Sequence, residues 1–157
     1  MNVKIDNLAN HTRFIPTLAH WFHEQWGHFH PETTIEQRIA RLEDRCKKTS
    51  GIPLTLIAIV DHDVIGTASL VKHDMDVHLE LTPWLSSDYV IKKSRNQAIG
   101  SRLVKQIVQG AAKMDAKKLY LFTPDRQLFY TRLGWRLLYR EKYRKQQVAV
   151  MEINVAA

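Results

Sequence analysis

Hydrophobic residues recur along the chain with two different spacings, and the changes between them predict the order of its secondary-structure elements. Apolar residues three and four positions apart predict amphipathic helices, whereas short runs of β-branched and aromatic residues predict strands. The predicted helices cover residues 14–26, a segment with Ile35, Ile39, Leu42 and Cys46 on its buried face, residues 98 to about 114, and residues 126–133. The predicted strands cover residues 2–6, 54–60, 64–71, 81–91, 119–123, 135–143 and 148–155.

Residues at the ends of the predicted helices support these assignments. Thr34 and Gln37 have the spacing of a capping box at the start of the second helix, with Thr33 and Glu36 as the alternative register. Gly134 follows the fourth helix directly, which predicts a C-cap there.

The predicted order, β-α-α-β-β-β-α-β-α-β-β, indicates one α/β domain over residues 1–157. A chain that is 45% apolar and 25% charged has the ordinary composition of a single globular domain. A helix crosses between the strands at 81–91 and 119–123, so we expect those two strands to be parallel and the other neighbours antiparallel. The longest apolar runs, such as residues 54–60, are too short to span a bilayer.

The charge and cysteine content narrow the range of partners and compartments. The formal net charge of +7 favours acidic partners, namely nucleic acid, acidic peptides or a phosphate-rich cofactor. The basic residues are densest at 92–95 and 136–145. Cys46 is the only cysteine, which excludes an internal disulfide and indicates a reducing, cytoplasmic compartment. Residues 1–9 do not show the pattern of a signal peptide.

The stretch from Tyr89 to Leu103 is organised to hold an anion. A short strand-like run ends in the basic loop 92–97, and the loop opens directly into a helix. The first turn of a helix has free N–H groups and the positive end of the helix dipole. Small residues at Ala98, Gly100 and Ser101 would let a phosphate approach that backbone closely.

The same stretch resembles a motif of the GNAT superfamily of N-acetyltransferases. These enzymes carry Arg/Gln-x-x-Gly-x-Gly/Ala at a strand–loop–helix junction that holds the pyrophosphate of acetyl-CoA, and Arg95, Ala98 and Gly100 occupy its three marked positions. Ala98 replaces the usual glycine. The resemblance implies acetyl-CoA as co-substrate, with binding contacts from Tyr89, Val90, Ile91, Arg95, Asn96, Gln97, Ala98, Ile99, Gly100, Ser101, Thr123 and Phe129.

A second segment, residues 128–135, resembles the family's Phe-Tyr-x-x-x-Gly-Phe/Trp pattern. In the family, the tyrosine directs its hydroxyl at the sulfur of coenzyme A, so the resemblance implies that Tyr130 is a general acid for the departing thiolate. The alternative is that Tyr130 only packs on a short helix. An amine nucleophile must also lose a proton, and Glu80 is our first candidate for the base, with Asp88 as the second. Either carboxylate could instead be an ordinary solvated side chain.

The resemblance further implies that the strand at 81–91 splays away from the strand at 119–123. The pantetheine arm of the cofactor would lie in the gap and pair with backbone groups of Val90 and Ile91, much as an added strand would. A buried strand without a cofactor predicts two paired strands here instead.

The predicted order of elements resembles that of the GNAT fold. The resemblance therefore implies a mixed and mostly antiparallel sheet of six to seven strands with about four helices. The expected activity is acetyl transfer from acetyl-CoA to a primary amine of a small molecule or peptide, by direct attack in a ternary complex. Two alternatives stay open: an acyltransferase that uses a longer acyl-CoA, and a catalytically silent basic binding module. We expect no membrane partner, and nucleic acid is the less favoured partner. Whether the chain acts as a monomer or a homodimer is left open.

The chain has eight histidines, four of them at positions 20, 23, 28 and 30. Metal sites usually add cysteine or carboxylate ligands at close, regular spacing, and this sequence shows no such pattern. We therefore expect no metal cofactor.

Overall fold

Seven strands form one mixed sheet in the computed structural model, which describes residues 2–48 and 50–155. The strands are β1 Lys4–Asn7, β2 Leu54–Val60, β3 Asp63–Val71, β4 Trp84–Val90, β5 Lys118–Thr123, β6 Arg136–Tyr143 and β7 Gln146–Asn154. Their order across the sheet is β1-β2-β3-β4-β5-β7-β6. Only the β4–β5 pair is parallel among the described strands, so the predicted mixed, mostly antiparallel sheet is confirmed.

Four α-helices flank the sheet within the described ranges: α1 Ile15–Trp26, α2 Ile35–Cys46, α3 Ile99–Lys113 and α4 Gln127–Arg132. The connection β4–α3–β5 is the predicted strand–helix–strand unit with parallel strands. None of the described helices combines the length and the apolar character that crossing a bilayer requires.

Two helix ends follow the signals in the sequence. At the start of α2, Thr34 Oγ1 accepts a hydrogen bond from the Gln37 N–H at 3.1 Å, and Gln37 Oε1 accepts one from the Thr34 N–H at 2.9 Å. This is the predicted capping box, in the first of its two registers. After α4, Gly134 has a φ of +98° and donates its N–H to the Thr131 carbonyl, which ends the helix as predicted.

The sheet has a hydrophobic core on each face. Successive residues of a strand point to opposite faces, and in β2 this places Ile57 in the core below α1 and α2, whereas Ala58 belongs to the core below α3. Leu103 and Ile107 of α3 are fully buried in that second core. Truncating either side chain to alanine would cost about 2–5 kcal/mol. The helices α1 and α2 therefore lie on the opposite face of the sheet from α3.

Candidate active site

The parallel strands β4 and β5 pair at one position and then separate. The registered pair is Trp84–Tyr120, next to a hydrogen bond of 3.1 Å from the Tyr120 N–H to the Pro83 carbonyl. Toward their carboxyl ends, no further pairing joins the two described strands. The predicted splay is confirmed, and continuous pairing of these strands is excluded.

A β-bulge in β4 contributes to this separation. Between the registered pairs Thr67–Tyr89 and Ser69–Ser86, β4 has one residue more than β3. Ser87 lies in this bulge with a φ of +57°. A bulge bends its strand and increases the local twist, so β4 stays paired with β3 while it turns away from β5.

The gap between the strands opens into a cleft of about 380 Å³. Phe22 of α1 and Tyr130 of α4 both line the cleft, although they belong to hydrophobic cores on opposite faces of the sheet. The cleft therefore passes through the sheet where β4 and β5 part.

Tyr130 and Asp88 face each other inside the cleft. The Tyr130 hydroxyl donates a hydrogen bond of 2.8 Å to Asp88 Oδ2, and both side chains are buried. Arg126 Nη1 lies 3.8 Å from the same oxygen. The other carboxylate oxygen, Asp88 Oδ1, is buried and has no hydrogen-bond partner within the described residues.

Burial dominates the proton affinities of this pair. It raises the pKa of Asp88 to about 6, against the opposing effects of the Arg126 charge and the Tyr130 hydrogen bond. Burial, followed by the negative charge of Asp88, raises the pKa of Tyr130 well above its ordinary value. The tyrosine is therefore a protonated donor at neutral pH, while Asp88 can exchange a proton close to neutrality.

The loop before α3 has the backbone geometry of an anion site. Asn96 and Ala98 both adopt left-handed φ values, of 65° and 63°. The first hydrogen bond onto α3 is from the Arg102 N–H to the Ala98 carbonyl. Within residues 2–48 and 50–155, the N–H groups of Ile99, Gly100 and Ser101 have no hydrogen-bond partner. Left-handed residues before a helix turn successive N–H groups toward one point, and such a concavity binds anions.

The acetyltransferase (GNAT) domain family matches residues 53–137, which is more than half of the chain. The chain belongs to the GNAT acetyltransferase family. A comparison with curated protein sequences found no match.

Solved structures of low sequence identity share the GNAT fold over the whole chain. An aminoglycoside 6'-N-acetyltransferase complexed with coenzyme A is 14% identical with a TM-score of 0.77, over 100% of this chain and 98% of that one. The putative acetyltransferase yncA from Salmonella typhimurium, with its cofactor acetyl-CoA, is 15% identical with a TM-score of 0.72, over 100% and 96%. An N-acetyltransferase from Staphylococcus aureus Mu50 is 15% identical with a TM-score of 0.75, over 99% and 100%. At these identities the similarity supports the fold alone.

At the end of β4, Val90 and Ile91 differ in whether their backbone N–H groups are already hydrogen-bonded. Ile91 donates its N–H to the Ile65 carbonyl at 2.9 Å and accepts from the Ser94 N–H at 3.0 Å. The N–H of Ile91 is therefore used by β3, and a contact between Ile91 and the cofactor stays a prediction. Adjacent residues of a strand direct their N–H groups to opposite sides, so the Val90 N–H is directed toward the gap.

Arg95 folds back onto β4 rather than extending from the loop. Its Nε donates a hydrogen bond of 2.8 Å to the Val90 carbonyl, and its guanidinium lies 5.6 Å from the centre of the Tyr89 ring. Tyr89, Val90 and Arg95 all line the cleft. The side chains of Asn96 and Gln97 are exposed beside them.

Thr123 of β5 lines the cleft, and Phe129 of α4 lies behind it, next to Arg126. Thr123 Oγ1 accepts a hydrogen bond of 3.0 Å from the Arg126 N–H, which fixes the turn into α4. The Arg126 guanidinium lies 4.2 Å from the centre of the Phe129 ring. Phe129 in turn reaches Gly100, where a Cβ would lie 3.6 Å from the Phe129 ring edge.

Glu80, the first candidate for the base, lies outside the cleft. It precedes β4 in the connection from β3, its side chain is 72% exposed, and its Oε1 lies 3.8 Å from Nδ1 of His78. The strand begins only at Trp84, so Glu80 does not reach the sheet. The structure places Asp88, the second candidate, against Tyr130 instead.

Two features of the site were missed by the sequence analysis. The buried position of Asp88 depends on the bulge at Ser87, and no residue type in β4 indicates a bulge. Three arginines of α2, Arg38, Arg41 and Arg45, also line the cleft. Their spacing shows that they share one face of α2, but a charged helical face usually points to solvent, so the spacing alone does not indicate a site. Within the described residues, no group of three or more His, Cys, Asp or Glu side chains could hold a metal ion.

Proposed function

We propose that this GNAT chain, acting as one domain over residues 1–157, transfers an acetyl group from acetyl-CoA to a primary amine by direct attack in a ternary complex. The observation that carries the proposal is the Tyr130–Asp88 hydrogen bond in the gap between β4 and β5. Cys46 lies on α2 and does not line the cleft, which supports direct attack over an acyl-cysteine intermediate. The single cysteine also supports a reducing cytoplasm as the compartment.

Acetyl-CoA would be held by backbone groups at the start of α3. The free N–H groups of Ile99, Gly100 and Ser101 suit its pyrophosphate. Its pantetheine arm would lie in the gap, where the Val90 N–H can serve as a donor. Two of the similar structures contain acetyl-CoA or coenzyme A, which supports this choice of donor substrate.

The chemistry requires one proton to pass from the amine to the thiol. The amine nitrogen attacks the thioester carbonyl carbon and forms the C–N bond, and the C–S bond then breaks with its electron pair on sulfur. Asp88 Oδ1, which has no partner within the described residues, accepts the proton that the amine loses. Tyr130 donates its hydroxyl proton to the thiolate. The protonated Asp88 carboxyl group then turns about its Cβ–Cγ bond and returns a proton to the tyrosine oxygen, which lies 2.8 Å from the carboxyl group. Both residues return to their starting state, and no other proton carrier is needed.

Thermal unfolding with acetyl-CoA, coenzyme A and longer acyl-CoAs tests the first step of this proposal. Saturating acetyl-CoA should stabilise the protein by about 2.7 kcal/mol when its concentration is 100-fold above Kd. Stronger stabilisation by a longer acyl-CoA would favour the alternative donor. If none of these compounds stabilises the protein, the assignment of an acyl-CoA enzyme is overturned in favour of a silent binding module.

A further inference from the structure

Three arginines line the cleft on the face of the sheet opposite α3. Arg38, Arg41 and Arg45 occupy positions i, i+3 and i+7 of α2, so they share one side of that helix. The proposed site for the diphosphate lies at the start of α3, on the other face. The arginines are therefore placed at the end of the cleft from which an acceptor would reach Asp88.

These arginines lack the carboxylate partners that some other arginines of the chain have. Arg126 pairs with Asp88 and Arg144 pairs with Asp76. No ion pair within the described residues involves the three α2 arginines. Arg38 Nε and Nη2 and Arg45 Nη1 are buried and have no hydrogen-bond partner in that part of the chain. Buried guanidinium donors without partners are costly, and an anionic ligand would remove this cost.

The carboxyl group of Asp74 compensates the charge of Arg45 only in part. Asp74 lines the same end of the cleft and accepts a 2.6 Å hydrogen bond from Ser86 Oγ. Burial raises the pKa of Asp74 to about 7, against the effects of Ser86 and Arg45, so a good part of it is uncharged at neutral pH. Burial also lowers the pKa of Arg38 and Arg45, and the charge of Arg41 adds to the effect.

We propose that the acceptor is an amine that also carries an oxyanion, a carboxylate or a phosphate, held by the guanidinium groups of Arg38 and Arg45. Guanidinium forks bind such groups through two parallel hydrogen bonds. The amine of the same molecule would face Asp88. This inference rests on the proposed function and specifies its acceptor.

The same arginines would select against polycationic amines. A polyamine or an aminoglycoside would bring further positive charge against guanidinium groups that already lack counter-charges, and such like-charge contacts are costly. Ser86, which holds Asp74, and Asp88 lie two residues apart on β4. Asp74, which lies at the anionic end of the acceptor site, and Asp88 at its reacting end are therefore connected through neighbouring positions of one strand.

The test measures thiol release from acetyl-CoA with paired amines. ω-Amino acids of increasing chain length are compared with their carboxamides, and aminoethyl phosphate is compared with ethanolamine. Both sets are also compared with a polyamine. We expect kcat/KM to be at least about tenfold higher for the anionic member of each pair. The carboxylate and phosphate series identify which oxyanion the site takes.

Substitutions in α2 test whether the preference for anionic amines depends on Arg38 and Arg45. In Arg38→Gln and Arg45→Gln, we expect the anionic amines to lose about tenfold or more in kcat/KM while the neutral amines change little. Lysine at either position should restore only part of the preference, because it lacks the fork. Arg132→Gln removes the same charge from the exposed end of α4 and is the matched control. The stabilisation by acetyl-CoA should be unchanged in all of these variants.

Several results would overturn the inference. One is that carboxamides or polyamines are turned over as fast as the anionic amines, or faster. Another is that the preference for anionic amines persists in both Arg38→Gln and Arg45→Gln. The third is that no anionic amine binds or is turned over, although acetyl-CoA still stabilises the protein. In each of these cases the proposed function stands. Failure of acetyl-CoA to stabilise the wild-type protein would instead remove the proposed function, and this inference with it.

Discussion

The Tyr130 hydroxyl is 2.8 Å from Asp88 Oδ2, across the gap where β4 and β5 separate. The bond joins α4 to β4, and both of its side chains are buried. It links a group that can protonate a thiolate to a group that can accept a proton from an amine. The first three predictions follow from this contact.

Replacing Tyr130 by phenylalanine should lower kcat by about 10²- to 10⁴-fold, because the thiolate loses its proton donor. KM for acetyl-CoA should change little, since the proposed backbone contacts at the start of α3 are kept. Steady-state thiol release measures both constants. Tyr139→Phe removes the same atom from β6, outside the cleft, and should behave as wild type. Unchanged turnover in Tyr130→Phe would remove Tyr130 from the mechanism.

The acidic limb of the pH–rate profile should report Asp88. Asp88 must be ionised to accept the proton of the amine, and its pKa is raised to about 6. We therefore expect kcat/KM to rise steeply with pH up to about 6 and less steeply above it, where only the neutral fraction of the amine still increases. Asp88→Asn should lower the rate and abolish this limb. A limb that persists in Asp88→Asn would assign the titration to another group.

Stability should depend on pH in the opposite direction. The pKa of Asp88 rises from 3.8 to about 6 on folding, so the folded protein binds this proton more tightly than the unfolded chain. The stabilisation is present in full below pH 3.8 and is lost as pH rises through about 6. The loss should be on the order of 1–3 kcal/mol. Urea unfolding of the wild type and Asp88→Asn at pH 5 and pH 8 measures it.

Asp74 also titrates from a raised pKa, so only the difference between these two proteins isolates Asp88. Asp88→Asn should narrow the gap in unfolding free energy between the two pH values. An identical pH dependence in both proteins would contradict the assigned shift.

The fourth prediction concerns Ala98, which has a φ of 63° at the start of α3. A residue with a Cβ loses about 1–2 kcal/mol in this left-handed conformation. Glycine removes that strain, but its greater conformational entropy in the unfolded chain costs about 0.4–1 kcal/mol of stability. We therefore expect Ala98→Gly to stabilise the protein by roughly 0.5–1 kcal/mol without weakening acetyl-CoA binding. Thermal unfolding and a binding titration check the two parts, and a clear destabilisation would show that the alanine is not strained.

Much of this fold could be predicted because its signals are local. The capping box at Thr34 and Gln37, the glycine after α4 and the apolar run of β2 each depend on neighbouring residues alone. The separation of β4 and β5 could be predicted only from the resemblance to the family, because no residue in either strand specifies it.

The active site was harder to predict because its decisive contacts are not local. Asp88 is buried only because an extra residue at Ser87 changes the register of β4. Glu80 lies outside the cleft because β4 begins only at Trp84. The N–H of Ile91 is hydrogen-bonded to β3, and this pairing does not depend on residues close to Ile91 in the sequence. The α2 arginines have a clear spacing, but the spacing does not say that this face of the helix meets the cleft.

The passage of the cleft through the sheet has a kinetic consequence. Donor and acceptor would arrive from opposite sides and meet only at the reacting atoms, so either one can exchange while the other stays bound. Initial-rate patterns should then be those of random rather than compulsory order. A bisubstrate inhibitor that joins coenzyme A covalently to an acceptor would have to thread one of its ends through the opening beside Tyr130, and its association should be slow.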